Sequence, residues 1–367
     1  MQKILHIVGG LKAGGIESLL YNLFSNIDGE KISFDFVKKI NEVGEFERPI
    51  RELGGHIFKS PKFNGFNYLF CKKWWSNFFD KHPDYKIIHV HDASSSMVYL
   101  AEAKKRDIKI IAHSHNTGNT GIKGIIKNLT KKPLVKYADQ FIGCSREAGE
   151  YLFGKDIVDS NRYMTLPNGI DVGKFVFDEK ARIEIRNYLG INEREIVIGH
   201  IGRFTKVKNH EFLLKVFAET HSFKDNVKLL LVGDGPLFTD MRNLAEKLGV
   251  LDSVIFTGAK IDSEKFYSAM DIFVFPSYKE GLGIAAIEAQ ASGLPVIKSS
   301  GVPDSVDVTG NVETFSLNEP IINWARAIIQ QPKTDRKKAY KMVSDAGFDI
   351  KESVKQLEEL YIRVNNE

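Results

Sequence analysis

The sequence has two cysteines in 367 residues, Cys71 and Cys144. They lack the CxxC or metal-ligand spacing that would frame a disulfide scaffold or a zinc site, and so little cysteine fits a reducing compartment. No apolar run approaches the length needed to span a bilayer, and the short strand-like start, Met1 to Val8, lacks the profile of a secretory leader. A cytoplasmic protein is therefore expected. Charge of one sign is also missing: 51 Lys plus Arg face 47 Asp plus Glu, a formal balance of +4. That is too little for a whole-molecule nucleic-acid binder, so no nucleic-acid partner is expected. No internal repeat or low-complexity stretch stands out.

What is present is an ordinary folded composition, 43% hydrophobic and 27% charged, on a chain longer than one core usually supports. Short β-branched runs recur with helical stretches between them: Lys3 to Val8, Ser33 to Val37, Lys86 to Val90, Ile108 to Ala112 and Gln140 to Cys144. This alternation predicts βαβ units and a parallel sheet buried on both faces. After Leu166-Pro167-Asn168-Gly169 it restarts with Glu195 to Gly202, Val227 to Val232, Ser253 to Thr257, Ile272 to Pro276 and Pro295 to Lys298. The pattern implies two doubly wound α/β domains, 1–168 and 169–349, expected to face each other across a central cleft lined by the carboxyl ends of their strands. Asp349 to Val364 carries Ile350, Val354, Leu357, Tyr361 and Val364 at helical spacing, an amphipathic helix in need of a surface.

Three glycine turns come directly after strands. Gly9-Gly10-Leu11-Lys12-Ala13-Gly14-Gly15 precedes a helical pattern from Glu17 to Phe24; its glycines permit close backbone approach to a ligand, and the helix start offers N–H groups to an anion. The loop has neither the GxGxxG order nor the GK[ST] ending, so it matches a dinucleotide fingerprint or a Walker loop poorly. The bland alternative is a tight turn. Gly202-Arg203 begins a second loop that reaches Lys208, and two cations at the end of a parallel strand are placed to neutralise a diphosphate, Arg by its planar fork and Lys as a point charge. Here the alternative is a solvated basic loop. Gly233-Asp234-Gly235-Pro236 closes the next strand, and alone it reads as a plain strand-to-helix turn.

The most informative stretch runs from Phe275-Pro276-Ser277 through Glu280-Gly281-Leu282-Gly283-Ile284 and Glu288 to Gly293-Leu294-Pro295-Val296-Ile297. It predicts a strand, a glycine loop, a short helix beginning near Leu282, and another strand. Glu280 falls in the loop and Glu288 within the helix, whose packed face is assigned to Ile284, Ile287 and Ala291. A carboxylate accepts two hydrogen bonds from vicinal hydroxyls, and N–H groups from Gly281 to Ile284 suit a phosphate. The competing reading makes Glu288 a helix-surface residue and Glu280 a residue favoured at a helix start.

Glu280, seven intervening residues and Glu288, framed by Pro276-Ser277 and Gly293 to Ile297, resemble the Glu-x7-Glu signature of glycosyltransferase family four, of the GT-B fold. The similarity extends to Gly14-Gly15-Ile16-Glu17, His113-Ser114-His115-Asn116, Pro167 to Asp171, Arg203 with Lys208, and Gly233 to Pro236. It looks closest to the branch that builds bacterial exopolysaccharides and capsules. The resemblance implies two Rossmann-like domains, an N-terminal one for the acceptor and a C-terminal one for a nucleotide diphosphate sugar, with residues 350–367 returning to the first. It implies a retaining transfer without a metal, and the sequence has no Asp-x-Asp pair of the kind that holds a metal-bound diphosphate in the other glycosyltransferase fold.

Carried over, the resemblance assigns Glu288 to the donor ribose, Glu280 to a donor-sugar hydroxyl, and Arg203 and Lys208 to the diphosphate. Gly15, Gly233, Gly235, Gly281, Leu282, Gly283 and Ile284 complete the donor site, and His115 stands beside the donor sugar. His113 competes for that place, the pair being expected on opposite faces of their strand. No cofactor is implied beyond a UDP- or GDP-sugar substrate. Lys298-Ser299-Ser300-Gly301-Val302-Pro303-Asp304 departs from the family's usual Gly-Gly before Pro-Glu, which unsettles donor preference.

Two stretches combine cations with apolar groups, Cys71 to Phe79 around Trp74 and Gly121 through Lys136. Such segments can lie on an anionic membrane, where a lipid-linked acceptor is found. The first is assigned to a core-packed helix with a solvated lysine face. For Lys123 to Lys136 both readings stand, with peripheral attachment at the inner face of the cell membrane as the functional one. Competing readings of the whole chain are a nucleotide-sugar epimerase or phosphorylase, disfavoured by the paired glutamates, and a non-catalytic nucleotide-sugar sensor or partner subunit.

Overall fold

In this computed structural model, residues 1–12, 14–115, 132–260, 262–331 and 335–366 are described. The chain divides into two units, Met1–Gly169 with Ile350–Glu367, and Ile170–Asp349.

Apolar β-branched runs flanked by turns can bury both faces only inside a parallel sheet, and each unit has one. The first contains β1 (Gln2–Val8), β2 (Ile32–Lys38), β3 (Ile57–Lys59), β4 (Ile87–Val90), β5 (Lys109–Ser114), β6 (Gln140–Gly143) and β7 (Tyr163–Thr165), in the order β3-β2-β1-β4-β5-β6-β7. The second contains β8 (Ile196–Ile201), β9 (Val227–Val232), β10 (Val254–Phe256), β11 (Ile272–Phe275), β12 (Val296–Ser299) and β13 (Val312–Phe315), in the order β10-β9-β8-β11-β12-β13. All paired strands run parallel. The strand order reverses between β1 and β4 and again between β8 and β11, so each sheet has a switch point where the loops diverge and leave a crevice for ligands.

The strand period of two sorts side chains between the faces. In the first sheet Ile4, Phe34, Phe36, Ile87 and Ile111 pack on one side, and Leu5, Ile7, Val37, Ile88 and Ile110 on the other. Five helices cover or flank the two sheets at the positions that matter for function: α1 (Gly15–Asn26), α2 (Tyr68–Lys81), α3 (His210–Phe223), α4 (Ile284–Ala291) and α5 (Ile350–Asn366). Helix α2 buries Cys71, Trp75, Phe78 and Phe79, so the stretch around Trp74 is core-packed as assigned. In the second unit, α3 adds Leu213, Val216 and Phe217 to one face of the sheet, and α4 adds Ala286 and Ile287 to the other.

The surface that the amphipathic C-terminal segment requires is on the first unit. Ile350, Val354, Leu357, Leu360, Tyr361 and Val364 join the core around Ile4 and Phe34. Polar contacts fix the register: Ser353 Oγ donates to the Pro167 carbonyl at 3.2 Å, and the Asp28 N–H donates to Glu358 at 2.8 Å. Truncating fully buried Leu357 to alanine is expected to cost about 2–5 kcal/mol. The check is a lowered urea midpoint for unfolding of the first unit, although Leu357 lies at the far end of the chain from β1.

Candidate functional site

At the switch point of the second sheet, β8 runs into Gly202-Arg203 and β11 into Pro276–Gly283. These two loops are bound together. The Tyr278 N–H donates to the Val207 carbonyl at 2.8 Å, and Lys208 Nζ donates to Glu280 Oε1 at 2.8 Å. The Lys208 and Glu280 side chains keep only 22% and 13% of their exposure, which shields the pair from solvent screening. The Lys208 ammonium also stands 4.7 Å from the Phe275 ring centroid, a favourable cation–π placement. Two residues predicted from sequence, Lys208 and Glu280, are thus in direct contact. Arg203, on the same loop, is exposed and has no ion pair among the described residues, leaving its guanidinium available to an anion.

Helix α4 starts at Ile284, two residues after the expected start at Leu282, because Gly283 takes a left-handed conformation (φ +93°) that ends the preceding loop. No side chain caps the helix, so its first-turn N–H groups are free of side-chain acceptors. The buried face is wider than Ile284, Ile287 and Ala291: Ala286, Ala289 and Gln290 are buried, whereas Ile284 is only half-buried. The reason is that α4 lies between its own sheet and the helix Ala339–Val343, leaving little of it to solvent. Glu288 is consequently not a surface residue. Its Oε2 accepts a 2.6 Å bond from the Tyr267 hydroxyl. Burial raises its carboxyl to about 7, and the Tyr267 bond and the Lys208 charge only partly oppose that rise. Tyr267 has no sequence signal, because it contributes from a separate helix, Glu264–Ala269.

Gly233 and Gly235 have a packing reason for being glycine. A Cβ on Gly233 would lie 2.1 Å from the Gly202 carbonyl oxygen, and one on Gly235 would lie 2.7 Å from that of Phe204. The β9 loop therefore sits directly on the β8 loop, with the Phe204 N–H donating to the Asp234 carbonyl at 2.9 Å. The divergent segment after β12 is anchored by fully buried Lys298, which donates to the Val302 carbonyl at 3.1 Å and to Asp304 at 2.8 Å. Its Gly301 carbonyl accepts the Glu280 N–H at 2.9 Å, so Lys298 fixes the loop on which the Glu280 backbone rests.

In the first unit, Gly15 opens α1 behind an extended Gly14, again with no side-chain cap. His113 and His115 do not lie on opposite faces. Two positions apart, they share one face, as the period of two requires, with ring centroids 4.0 Å apart. They complete a group that sequence reading missed. His6 and His89 are register partners on β1 and β4, and His91 follows β4. His6 Nδ1 lies 3.0 Å from His91 Nε2, and His91 Nδ1 lies 2.8 Å from His115 Nε2. A neutral imidazole has one donor and one acceptor, so the tautomers of these three rings are coupled. Burial holds His6 at about 3 and His115 at about 4, the latter partly offset by Asn168. The available signal was the paired spacing in His89-Val90-His91 and His113-Ser114-His115, each at a strand end. The membrane stretch Lys123 to Lys136 lies outside the described residues up to Lys131.

Residues 13–174 match the family model Glycosyltransferase Family 4, and residues 181–345 match Glycosyl transferases group 1. The chain is 33% identical to the putative glycosyltransferase EpsF of Bacillus subtilis, over 98% of this chain and 96% of that protein. It is 26% identical to an Escherichia coli UDP-Gal:alpha-D-GlcNAc-diphosphoundecaprenol alpha-1,3-galactosyltransferase, over 77% and 76% of the two chains. Among solved structures, that of Anabaena HepE in complex with UDP superposes with a TM-score of 0.80 at 18% identity, covering 99% of this chain and 100% of the other.

The raised carboxyl of Glu288 has a measurable consequence. An unfolded glutamate ionises near 4.5 and the folded one near 7, so the unfolded chain gives up its proton first. Stability falls as pH rises through that window, and the full penalty applies above it. Glu288→Gln removes the ionisation, so the variant is expected to exceed the wild type in stability at pH 8 by on the order of 1–3 kcal/mol. The gap should close at pH 4. Denaturant unfolding across pH checks this, and parallel pH profiles for both proteins would count against it.

Proposed function

The chain belongs to glycosyltransferase family 4, enzymes of the GT-B fold, and on that basis we propose that it is a retaining, metal-independent transferase using a nucleotide diphosphate sugar. The observation that carries the reading is the contact of Lys208 with Glu280 at the switch point of the second sheet, beside the exposed Arg203. In this proposal the second unit holds the donor. Arg203, Lys208 and the uncapped start of α4 take the diphosphate, Glu288 accepts hydrogen bonds from the ribose hydroxyls, and Glu280 accepts one from the donor sugar. Gly233, Gly235, Gly281, Leu282, Gly283 and Ile284 form the surrounding backbone, Gly15 adds N–H groups to the phosphate, and His115 serves the sugar being transferred.

Charge develops on the diphosphate as its bond to the anomeric carbon breaks. Fixed cations at that oxygen lower the barrier because they need no reorganisation when the charge appears. The incoming hydroxyl adds on the face the diphosphate leaves, through an oxocarbenium-like state, and passes its proton to the departing diphosphate oxygen, which preserves the anomeric configuration. UDP is favoured as the nucleotide by the UDP complex of HepE and the UDP-galactose in the name of the E. coli relative. That same name, with its diphosphoundecaprenol, favours a lipid-linked glycan acceptor, and the likeness to EpsF favours exopolysaccharide synthesis. Among the described residues no helix is long and apolar enough to cross a membrane; attachment through Lys123 to Lys136 is part of the proposal.

The test is nucleotide diphosphate release from UDP-, GDP- and ADP-sugars, with and without a bacterial lipid extract. Release is expected from one donor, undiminished by EDTA, and reduced about 10²-fold by Lys208→Ala and severely by Glu280→Ala. Release that ignores Glu280, or that a chelator abolishes, would overturn the assignment of roles.

A further inference from the structure

Five histidines gather at the switch point of the first sheet. His6 lies on β1, His89 and His91 on and just past β4, and His113 and His115 on and just past β5. Histidines of one strand stand two apart, so the period of two places their rings on one face. Neighbouring ring centroids are 4.0–5.3 Å apart, and all but His91 are buried. The proposed transfer uses only His115.

The group is short of hydrogen-bond partners. Both ring nitrogens of His113, Nδ1 of His115, and Nε2 of His6 and of His89 have none among the described residues. Buried polar atoms are normally paired, and five unpaired nitrogens on one face point to a ligand that takes several of them together. A neutral imidazole offers one lone pair to such a ligand. Two triads bring one ring nitrogen from each member within 4.8 Å of the others: His6, His89 and His91, and His91, His113 and His115. Because both triads need His91, the cluster has room for one ion.

The outer triad has the better claim. His91 is partly exposed at the strand end, which gives an ion a way in. His6 and His89 have no exposure, and His89 Nδ1 is engaged by the Tyr361 hydroxyl at 2.6 Å. His91 Nδ1 and His115 Nε2 already face each other at 2.8 Å, and both nitrogens of His113 are uncommitted. The opposite nitrogen of His91, Nε2, stands 3.0 Å from His6 Nδ1. With its proton there, donated to His6, His91 presents the Nδ1 lone pair, the way an outer partner orients a metal-binding imidazole.

We propose that His91, His113 and His115 bind one divalent transition-metal ion of the zinc class, each through one ring nitrogen. Three imidazoles with no carboxylate in the set suit Zn²⁺ and its neighbours Co²⁺, Ni²⁺ and Cu²⁺, whereas Mg²⁺ and Ca²⁺ favour oxygen. Three protein ligands leave a fourth position to solvent. The ion has no part in the proposed transfer. It engages the His115 ring that the transfer reserves for the sugar and so inhibits, and only that consequence rests on the proposed function.

The experiment uses the full-length protein, stripped with EDTA and then freed of chelator. Calorimetry with Zn²⁺ should give one site per chain, and Mg²⁺ should give none. Co²⁺ should bind with the intense visible absorption of a four-coordinate ion and be displaced by Zn²⁺. X-ray absorption of the zinc form should show imidazole nitrogens at about 2.0–2.1 Å. His113→Phe trades two unpaired nitrogens for an apolar ring of similar shape, so it should fold, yet bind zinc at least about tenfold more weakly. His56→Gln changes an exposed histidine and His89→Phe changes the inner triad alone, so both should keep wild-type affinity. Thermal unfolding verifies that each variant is folded. No zinc binding by the wild type, a zinc shell without imidazole, unchanged affinity in His113→Phe, or loss of binding in His89→Phe or His56→Gln would each overturn the proposal. Nucleotide release, with a donor that supports it, should fall on adding Zn²⁺ and recover with EDTA. Zinc binding without inhibition would keep the site and remove His115 from the transfer. Absence of release from every donor would end the transferase reading and leave the zinc titration as it stands.

Discussion

The ion pair between Lys208 and Glu280 holds the second unit's switch point in its observed form. β8 and β11 are neighbours in the sheet, but their loops diverge unless something spans them, and this pair does so together with the backbone bond from Tyr278 to Val207. The loop after β12 then supports Glu280 from beneath through the Gly301 carbonyl, with Lys298 as its anchor. With both charges mostly out of water, removing either one would strand the other, which makes the pair a stronger constraint than its single hydrogen bond suggests. A diphosphate arriving beside Lys208 would compete with Glu280 for the same ammonium. The carboxylate would then be free to accept a hydroxyl, so under the proposed function each half of the ion pair would have a substitute partner on the donor.

Much of the fold was legible in the sequence because a strand buried on both faces must be written as a near-continuous apolar run. The ten runs singled out correspond to strands, from β1 at Lys3 to β12 at Lys298. The three strands not foreseen have different chemistry. β3 is three residues long at a sheet edge, β7 is partly exposed, and β13 carries Glu313 and Thr314 with its residues half-buried or exposed. An edge strand has one neighbour and less burial, so nothing forces its sequence to be apolar.

The site was readable in chemical type and less so in assembly. Glu280, Lys208 and Arg203 stood out as charged residues beside glycine turns, yet only the fold brings Lys208 onto Glu280 and Tyr267 onto Glu288. The histidines depend on register: His6 and His89 face each other only because β1 pairs with β4 in one particular alignment, which spacing along the chain cannot convey. Gly233 and Gly235 are legible as turn glycines, but that a side chain there would strike the β8 loop is visible only once one loop is seated on the other.

The return of α5 to the first unit has a consequence for biosynthesis. The second unit is one uninterrupted stretch, whereas the first closes its core with residues from the end of the chain. During translation the N-terminal domain usually matures first, but here the first unit cannot complete its core until α5 has been made. The later-made unit has all of its residues outside the ribosome while Ile4, Phe34 and Ile87 still lack the cover of Leu357 and Tyr361. The nascent protein thus exposes part of an apolar face until α5 emerges, a period in which a chaperone would find its binding surface.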